Sequence, residues 1–140
     1  MESTPKKITD NLFKEKLSEG TSYEKEVIVN ETDLATRLGT AHIELISTSA
    51  LIAYVEQCCA EMADEYLLDG LVSVSAEVNF KHLFPVKSGE TIYCRSVLKF
   101  IDTNRLFFDV VVLNDKEISV GIGAHERYIV DRKSFLGENQ

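Results

Sequence analysis

The stretch TSALIAYVEQCCAEMADEYL, residues 48–67, decides the fold of this chain. Its apolar side chains recur at steps of three and four residues, as they do on the buried face of an α-helix. These residues are Leu51, Val55, Cys58 or Cys59, Met62 and Tyr66. Ser47 and Thr48 are both suited to cap the N-terminus of such a helix. Because the sequence from Leu45 to Ala60 carries a single charge, we expect a long helix that is enclosed on most sides.

Five stretches with the pattern of β-strands flank this helix. One precedes it and four follow it: residues 23–30, 71–83, 91–102, 106–113 and 117–130. The later stretches are rich in alternating or β-branched apolar residues, and residues typical of turns separate them. Gly121 and Gly123 lie within the last stretch and indicate a bulge or a close approach of the backbone.

The order of one strand, one helix and four strands predicts an α+β fold. In it, an antiparallel sheet of about five strands wraps around one long central helix, which is the hotdog arrangement. Residues 21–136 form this single domain, residues 1–20 an N-terminal extension and residues 137–140 a tail. Within the extension, the apolar spacing of residues 10–17 predicts a short amphipathic helix. The sequence of residues 32–38 predicts a helical turn that ends at Gly39.

The composition disfavours several classes of function. Asp and Glu number 23 against 15 Lys and Arg, so the net charge of −8 disfavours binding to nucleic acids or to anionic membranes. We find no apolar run that could span a membrane, no signal-peptide core, and no phosphate-binding loop. Three cysteines lack the spacing of metal ligands and are expected to be free thiols of a cytoplasmic protein without a metal site.

Glu56 is the most informative polar residue, because it lies in the middle of the apolar helix. Ile52, Cys59 and Ala60, its neighbours one turn away, are apolar. Burying a carboxylate in such surroundings costs several kcal/mol unless it is paired. Desolvation would also raise the pKa of Glu56 toward the range of a general base. The alternative, a narrow exposed stripe on the helix, is disfavoured by these apolar neighbours.

Two further residues could act together with this carboxylate. Thr48 lies eight residues before Glu56, where its hydroxyl could attack a substrate, orient water or cap the helix. Considered alone, Thr48 fits the capping role better, and the adjacent serines compete for it. His82 ends a strand-like stretch, and a histidine there is as easily idle as functional. The same ambiguity applies to His42 and His125.

Together, Thr48, Glu56 and His82 make the sequence resemble the fluoroacetyl-CoA thioesterase-like family of hotdog thioesterases. In that family a Thr, a Glu eight residues later and a His twenty-six residues beyond the Glu form the catalytic set, and both spacings recur here. The stretches that carry the likeness are STSALIAYVEQCCAEM (47–62), VNFKHLFPVKSGE (78–90) and GIGAHERYIVDRKSFL (121–136).

The resemblance implies an acyl-CoA thioesterase with Thr48, Glu56 and His82 as catalytic residues. It implies a homodimer, or alternatively a tetramer, with acyl-CoA sites at the subunit interface and no cofactor beyond the coenzyme A of the substrate. Ser49, Ser75 and Arg127 would bind the substrate. For Arg127, a purely structural ion pair with Glu126 or Asp131 is an equal alternative. Backbone N–H groups at the helix start would hold the thioester oxygen, while the Glu and the His activate either water or a Thr-linked acyl intermediate.

The sequence departs from the family in two places. The fluoroacetate specialist carries aromatic lid residues before its catalytic Thr, whereas LGTAHIELIS (38–47) contains no Phe. Ser75 stands where the family has a Gly, seven residues before the His. We therefore expect a general short or medium acyl-CoA as the substrate rather than fluoroacetyl-CoA.

Two alternatives to hydrolysis remain. One is a non-catalytic hotdog module that binds acyl-CoA as a sensor or scaffold, although a pure binder has no need of a buried carboxylate. The other is an enoyl-CoA hydratase, which would require an Asp/His pair on a different segment. The sequence contains no such pair that we can identify.

Overall fold

A computed structural model gives the structure of the protein and describes residues 12–137. The described elements, in chain order, are strand β1 (Ser22–Ile28), a 3-10 turn (Glu31–Asp33), helix α1 (Ala35–Leu38), helix α2 (Thr48–Asp64), strands β2 (Leu71–His82), β3 (Thr91–Asp102), β4 (Arg105–Asn114) and β5 (Ser119–Asp131), and helix α3 (Arg132–Leu136). The five strands form one antiparallel sheet in the order β1-β3-β4-β5-β2. The predicted α+β hotdog arrangement is confirmed.

Helix α2 lies across one face of the sheet and supplies the centre of the core. Leu51, Val55 and Met62 on the helix are almost fully buried, as are Leu98 and Phe108 on the facing strands. Each such side chain contributes roughly 1.5–3 kcal/mol of transfer free energy when it leaves water. The long apolar face read from the sequence therefore fixes the position of α2 over the sheet.

The N-terminus of α2 is capped by Ser47. Its Oγ accepts a hydrogen bond from the backbone N–H of Ala50 at 2.9 Å. This cap satisfies one of the N–H groups that the first helical turn leaves without a partner. The hydroxyl of Thr48 is consequently not the helix cap, and it remains available for another contact.

A tyrosine–aspartate contact ties the segment before α2 to the helix itself. The Asp33 carboxylate is buried and accepts hydrogen bonds from the Tyr54 hydroxyl at 2.8 Å and from the backbone N–H of Asn30 at 3.0 Å. After α1 the chain reverses at Gly39, whose φ of 75° lies in the left-handed region that favours glycine. The predicted helical turn ending at Gly39 is confirmed for Ala35–Leu38. The extended backbone of Leu34 separates it from the 3-10 turn at Glu31–Asp33, so the predicted range of residues 32–38 is not one continuous helix.

The N-terminal helix predicted for residues 10–17 is wrong over the part that the structure describes. Phe13 instead forms an isolated β-bridge with Leu67, and Leu17 is buried in the core. The apolar spacing suited a helix, but backbone pairing with the chain that follows α2 buries the same side chains. Residues 10 and 11 lie outside the described part.

The two glycines of β5 allow β2 to lie close against it. A Cβ atom at Gly123 would overlap the backbone carbonyl oxygen of Asn79, and one at Gly121 would overlap the ring of Phe80. The predicted close approach of the backbone is confirmed. Because β2 carries His82 at its end, this tight pairing also fixes where that histidine lies.

Candidate active site

Thr48 and His82 meet where the start of α2 lies beside the end of β2. Thr48 is the first residue of the helix, His82 is the last residue of the strand, and Thr48 Oγ1 lies 2.9 Å from His82 Nδ1. This is a normal hydrogen-bond distance. Two of the three predicted catalytic residues are thus brought into direct contact.

The second nitrogen of His82 determines the direction of that hydrogen bond. Nε2 lies 3.1 Å from the backbone carbonyl oxygen of Phe84. A carbonyl only accepts, so Nε2 carries the hydrogen, and in the neutral ring Nδ1 then holds a lone pair. We assign the Thr48 hydroxyl as the donor to Nδ1. The arrangement is that of a hydroxyl nucleophile, a base and a group that orients the base.

Backbone donors lie next to this pair. The N–H groups of Thr48 and Ser49 have no hydrogen-bond acceptor within residues 12–137, whereas the following two N–H groups of the helix are bonded to Ser47. Unpaired N–H groups and the helix dipole both favour negative charge at a helix start. A developing oxyanion beside Thr48 would be stabilised there.

The pair opens into a cavity of about 420 Å³. One wall is the segment from Ala35 to Ser49, and the other runs from His82 to Pro85. Most of the lining side chains are apolar, and none belongs to Asp, Glu, Lys or Arg. The cavity therefore offers a concave, uncharged space directly beside the Thr48 hydroxyl.

Glu56 does not join the Thr48–His82 pair. At 1.5 Å per residue it lies about 12 Å farther along the helix axis. Its side chain is half-buried rather than enclosed, and it makes no hydrogen bond within the described part of the chain. The carboxylate interacts electrostatically with Arg127 and His125 instead. Glu56 is therefore less buried than expected. Its role as a catalytic base stays a prediction.

Ser75 and Arg127, both predicted to bind substrate, lie together in a polar cluster on the facing strands. Arg127 is buried and donates to Ser73 Oγ at 2.8 Å, to Ser75 Oγ at 2.9 Å and to His125 Nε2 at 3.0 Å. Because His125 Nδ1 donates to the carbonyl oxygen of Glu77 at 2.8 Å, its Nε2 holds the lone pair that Arg127 needs. Ser75 is the exposed member of this cluster.

Burial dominates the protonation of this cluster. Desolvation lowers the pKa of His125, and the charge of Arg127 lowers it further, while the hydrogen bond to Glu77 and the charge of Glu56 act in the opposite direction. Desolvation also lowers the pKa of Arg127, although a guanidinium stays charged in proteins. His125 is thus held neutral beside a permanent positive charge.

The sequence left His125 ambiguous and passed over Ser73. The available signal was positional: residues at i and i+2 on neighbouring strands share one face of a sheet. Ser73 and Ser75 on one strand, with His125 and Arg127 on the next, therefore place four polar groups on the face toward α2. Such a set is uncommon on an otherwise apolar face.

The remaining reactive groups belong to the core. Cys58, Cys59 and Cys94 are free and buried, as predicted for free thiols. Burial raises the pKa of Cys94 to about 12, which leaves the thiol protonated and unreactive. Residues 12–137 contain no group of three or more potential metal ligands. Within the same residues no helix is both long and apolar enough to cross a membrane.

The antiparallel sheet around the long helix α2, with a polar pair at the start of that helix, defines a hotdog-fold protein of the thioesterase type. The profile of the family described as fluoroacetyl-CoA-specific thioesterase matches residues 29–133, and the chain belongs to this family. The resemblance inferred from the sequence is confirmed. No curated protein matches the chain in sequence.

Solved structures share the fold at low sequence identity. A point mutant of the fluoroacetyl-CoA-specific thioesterase FlK is 19% identical, with a TM-score of 0.84, over 89% of this chain and 96% of that one. Another FlK mutant, in complex with fluoroacetate and CoA, is 20% identical with a TM-score of 0.80, over 85% and 99%. A Thermus thermophilus hypothetical protein of the thioesterase superfamily is 18% identical with a TM-score of 0.80, over 87% and 90%.

Proposed function

We propose that the chain hydrolyses short or medium acyl-CoA thioesters to the free acid and CoA. The observation that carries this proposal is the contact between Thr48 Oγ1 and the lone-pair nitrogen of His82, which is held in place by the carbonyl of Phe84. Membership of a thioesterase family and the CoA bound to an FlK mutant support a CoA ester as the substrate class.

The geometry favours a covalent route. His82 Nδ1 takes the proton of Thr48 as Oγ1 attacks the thioester carbon, and the oxyanion accepts hydrogen bonds from the N–H groups at the start of α2. The carbon–sulfur bond then breaks, and the departing sulfur takes the proton from His82. Water then attacks the acyl ester on Thr48 while His82 takes a proton from it. The bond between the acyl carbon and Thr48 Oγ1 breaks, His82 returns the proton to Oγ1, and the acid is released. In the alternative route, His82 or Glu56 activates water for direct attack.

Glu56 and Ser75 are proposed to act on the part of the substrate that lies farther along α2. Both side chains are at least partly exposed, and both adjoin the buried Arg127 electrostatically or by a hydrogen bond. Arg127 is too enclosed to be the first contact of an incoming ligand, so we propose that it holds Ser75 for the substrate. Ser49 contributes through its backbone N–H.

We also propose that the protein is a homodimer joined along β2. This strand is twelve residues long and lies at an edge of the sheet, so one side of its backbone lacks a strand partner within the described chain. Long exposed edges invite pairing with another chain, and a two-fold axis would pair β2 with its own copy.

The test is hydrolysis of a panel of acyl-CoA esters, followed as release of the CoA thiol. We expect turnover by the wild type and a loss of about 10²–10⁴-fold in kcat for His82→Ala, since general-base catalysis contributes that much. His42→Ala is the matched control, because His42 is exposed and does not line the cavity; it should retain activity. Binding of CoA esters without any turnover would leave only the non-catalytic binding module.

Glu56→Gln belongs in the same panel. A fall in kcat comparable to that of His82→Ala supports the predicted catalytic role of this carboxylate. Full activity would remove Glu56 from the catalytic set while leaving thioester hydrolysis intact.

A further inference from the structure

We propose that the outer face of the sheet carries a second binding site, which takes a small organic cation with a flat apolar body, such as an arylalkylammonium ion. The site is a cavity of about 210 Å³ on the side of the sheet that faces away from α2. This binding is separate from the proposed hydrolysis and does not depend on it.

The alternation of side chains along β4 and β5 places this cavity on the outer face. On β4, Phe108 faces α2, so its neighbours Phe107 and Asp109 point to the opposite side. On β5, His125 faces α2, and Ala124 therefore points outward beside Asp109. These outward side chains line the cavity. Among the described residues, none of α2 and neither member of the candidate catalytic pair does so.

The cavity is a depression whose floor is Ala124. The small side chain of Ala124 lies between two larger ones, because it pairs with Asp109 on one side and with Asn79 on the other. β2 and β3 each contain one unpaired extra residue, Ala76 and Lys99. Such bulges bend a strand, re-aim its side chains and recur next to functional sites. The depression lies between the two bulges, and residues next to both of them line it.

One wall of the cavity is aromatic. The rings of Phe100 and Phe107 are stacked, with their centroids 4.3 Å apart. Phe100 is 41% exposed, so a flat apolar group in the cavity would cover it. The faces of such rings also attract cations, and the guanidinium of Arg105 already lies 5.0 Å from the centroid of Phe107. The wall therefore suits a ligand that is both apolar and positively charged.

Carboxylates supply the opposite charge. Glu126 is only 8% exposed; one of its oxygens accepts from Arg105 Nε at 2.8 Å, and the other accepts no hydrogen bond within residues 12–137. Glu77 and Asp109 add two carboxylates against the single ammonium of Lys99, which lies 4.0 Å from Asp109. A largely buried acceptor without a donor is costly, and a charged N–H group in the cavity would satisfy it.

The size and charge of the cavity narrow the class of ligand. Its volume lies below the roughly 300–1,000 Å³ of pockets that hold drug-sized ligands, so one ring with a short amine arm is the expected size. The net charge of −8 draws cations toward the protein and opposes anions. The phosphates of a CoA ester are therefore excluded from this site.

The experiment titrates the isotope-labelled protein with phenethylammonium, phenylethanol, phenylacetate and butylammonium, and follows the backbone amide signals by NMR. Phenethylammonium combines the ring with the charge, and each of the others lacks one of the two. We expect it to shift the signals around Ala124 with a Kd about ten-fold or more below that of the alcohol and of butylammonium. Equal Kd values for phenethylammonium and phenylethanol, or no shift with any of the four, would overturn the proposal.

Two variants with a matched control locate the binding. Ala124→Leu fills the floor and should raise the Kd for phenethylammonium more than about ten-fold. Ser119→Leu, also exposed on β5 but outside the cavity, should leave it within about two-fold. Asp109→Asn removes one charge from an exposed position, so it should weaken binding of the cation and not of the alcohol. An unchanged Kd in Ala124→Leu would place the binding elsewhere and refute the site.

Glu126→Gln tests the buried carboxylate itself. The amide keeps an acceptor for Arg105 but loses the charge, and we expect the Kd for phenethylammonium to rise about ten-fold. An unchanged Kd in this variant would remove Glu126 from the site and contradict its assigned role. None of these readings requires turnover, so a failure of the proposed hydrolysis would leave them standing.

Discussion

At the scale of single residues, His125 is an imidazole that the fold holds neutral. Its Nδ1 donates to Glu77, its Nε2 accepts from Arg127, and Ser75 Oγ lies 3.5 Å from the same Nε2. A proton on Nε2 would face the guanidinium directly and would have no acceptor among these groups except the Ser75 hydroxyl. Because the folded protein disfavours a proton on His125, the free energy of unfolding depends on pH.

The sign of this linkage follows from the lowered pKa of His125. Burial moves the pKa below its ordinary value of 6.5, so the unfolded chain binds a proton first as the pH falls. Protonation of the unfolded state lowers the free energy of unfolding, beginning as the pH falls through about 6.5 and ending below the folded pKa. At higher pH His125 is neutral in both the folded and the unfolded chain, so it contributes no pH dependence to the free energy of unfolding.

We predict that His125→Gln flattens this part of the pH profile. Glutamine keeps a donor for Glu77 and an acceptor for Arg127 but cannot take up a proton. The measurement is the free energy of unfolding by urea between about pH 7 and pH 5, where the wild type should lose more stability than the variant. Parallel profiles for the two proteins would show that His125 does not titrate on unfolding.

The site residues were predictable from the sequence to different degrees. Thr48 and His82 could be paired because the fold places a helix start against a strand end, and the resemblance supplied the spacing. The half-buried position of Glu56 and its distance from the pair depend on which way the helix is turned over the sheet. The Arg127–His125 cluster depends on the register of β2 against β5, which a single sequence does not specify.

At the scale of elements, the contact between Tyr54 and Asp33 joins α2 to the segment that carries the cavity wall. Burial, followed by the hydrogen bond and the charge of the Asp33 carboxylate, raises the pKa of the Tyr54 hydroxyl to about 12. The hydroxyl is thus a stable donor at neutral pH. The backbone carbonyl oxygen of Asp33 accepts a hydrogen bond at 2.9 Å from the N–H of Ser47, the residue that caps α2. Asp33 therefore also anchors the start of the helix.

We predict that Tyr54→Phe destabilises the protein and weakens substrate binding. The substitution leaves the buried Asp33 carboxylate with one fewer hydrogen bond, which costs about 1–3 kcal/mol of stability. Asp33 holds the segment from Ala35 to Ser49, which forms one wall of the cavity. KM for a medium-chain acyl-CoA should therefore rise more than kcat falls. Tyr93→Phe is the matched control, since its hydroxyl makes no hydrogen bond within residues 12–137. Equal effects of the two substitutions on stability and KM would contradict the anchoring role.

The elements themselves were largely predictable, because α2 and the strands have strong and different apolar periods. The errors fall where a short segment has a choice of partner. Residues 12–14 pair with residues 66–68, after α2, instead of forming a helix. The short helix α3 was not predicted. Its signals were present: Asp131 accepts from the N–H of Ser134 at 3.0 Å, and Gly137 ends the helix in the left-handed region.

At the scale of the whole molecule, the open edge of β2 predicts a dimer. Sedimentation equilibrium should give twice the chain mass of 15.7 kDa for the wild type. Ala76→Lys places a lysine on that edge, a residue that natural sheets use to prevent edge pairing, and should shift the mass toward the monomer. Ala124→Lys, also exposed but on the interior strand β5, should remain dimeric. A monomeric wild type would refute association through β2.

The central claim is that the Thr48 hydroxyl, activated by His82, attacks a CoA thioester. The most direct measurement is release of CoA from octanoyl-CoA by Thr48→Ala and Thr48→Ser, with mass spectrometry of the protein quenched during turnover. We predict that the alanine variant loses about 10²-fold or more in kcat, that the serine variant retains substantial activity, and that an octanoyl adduct forms on residue 48 of the wild type. Wild-type activity in Thr48→Ala, with no adduct on the wild-type protein, would contradict the account.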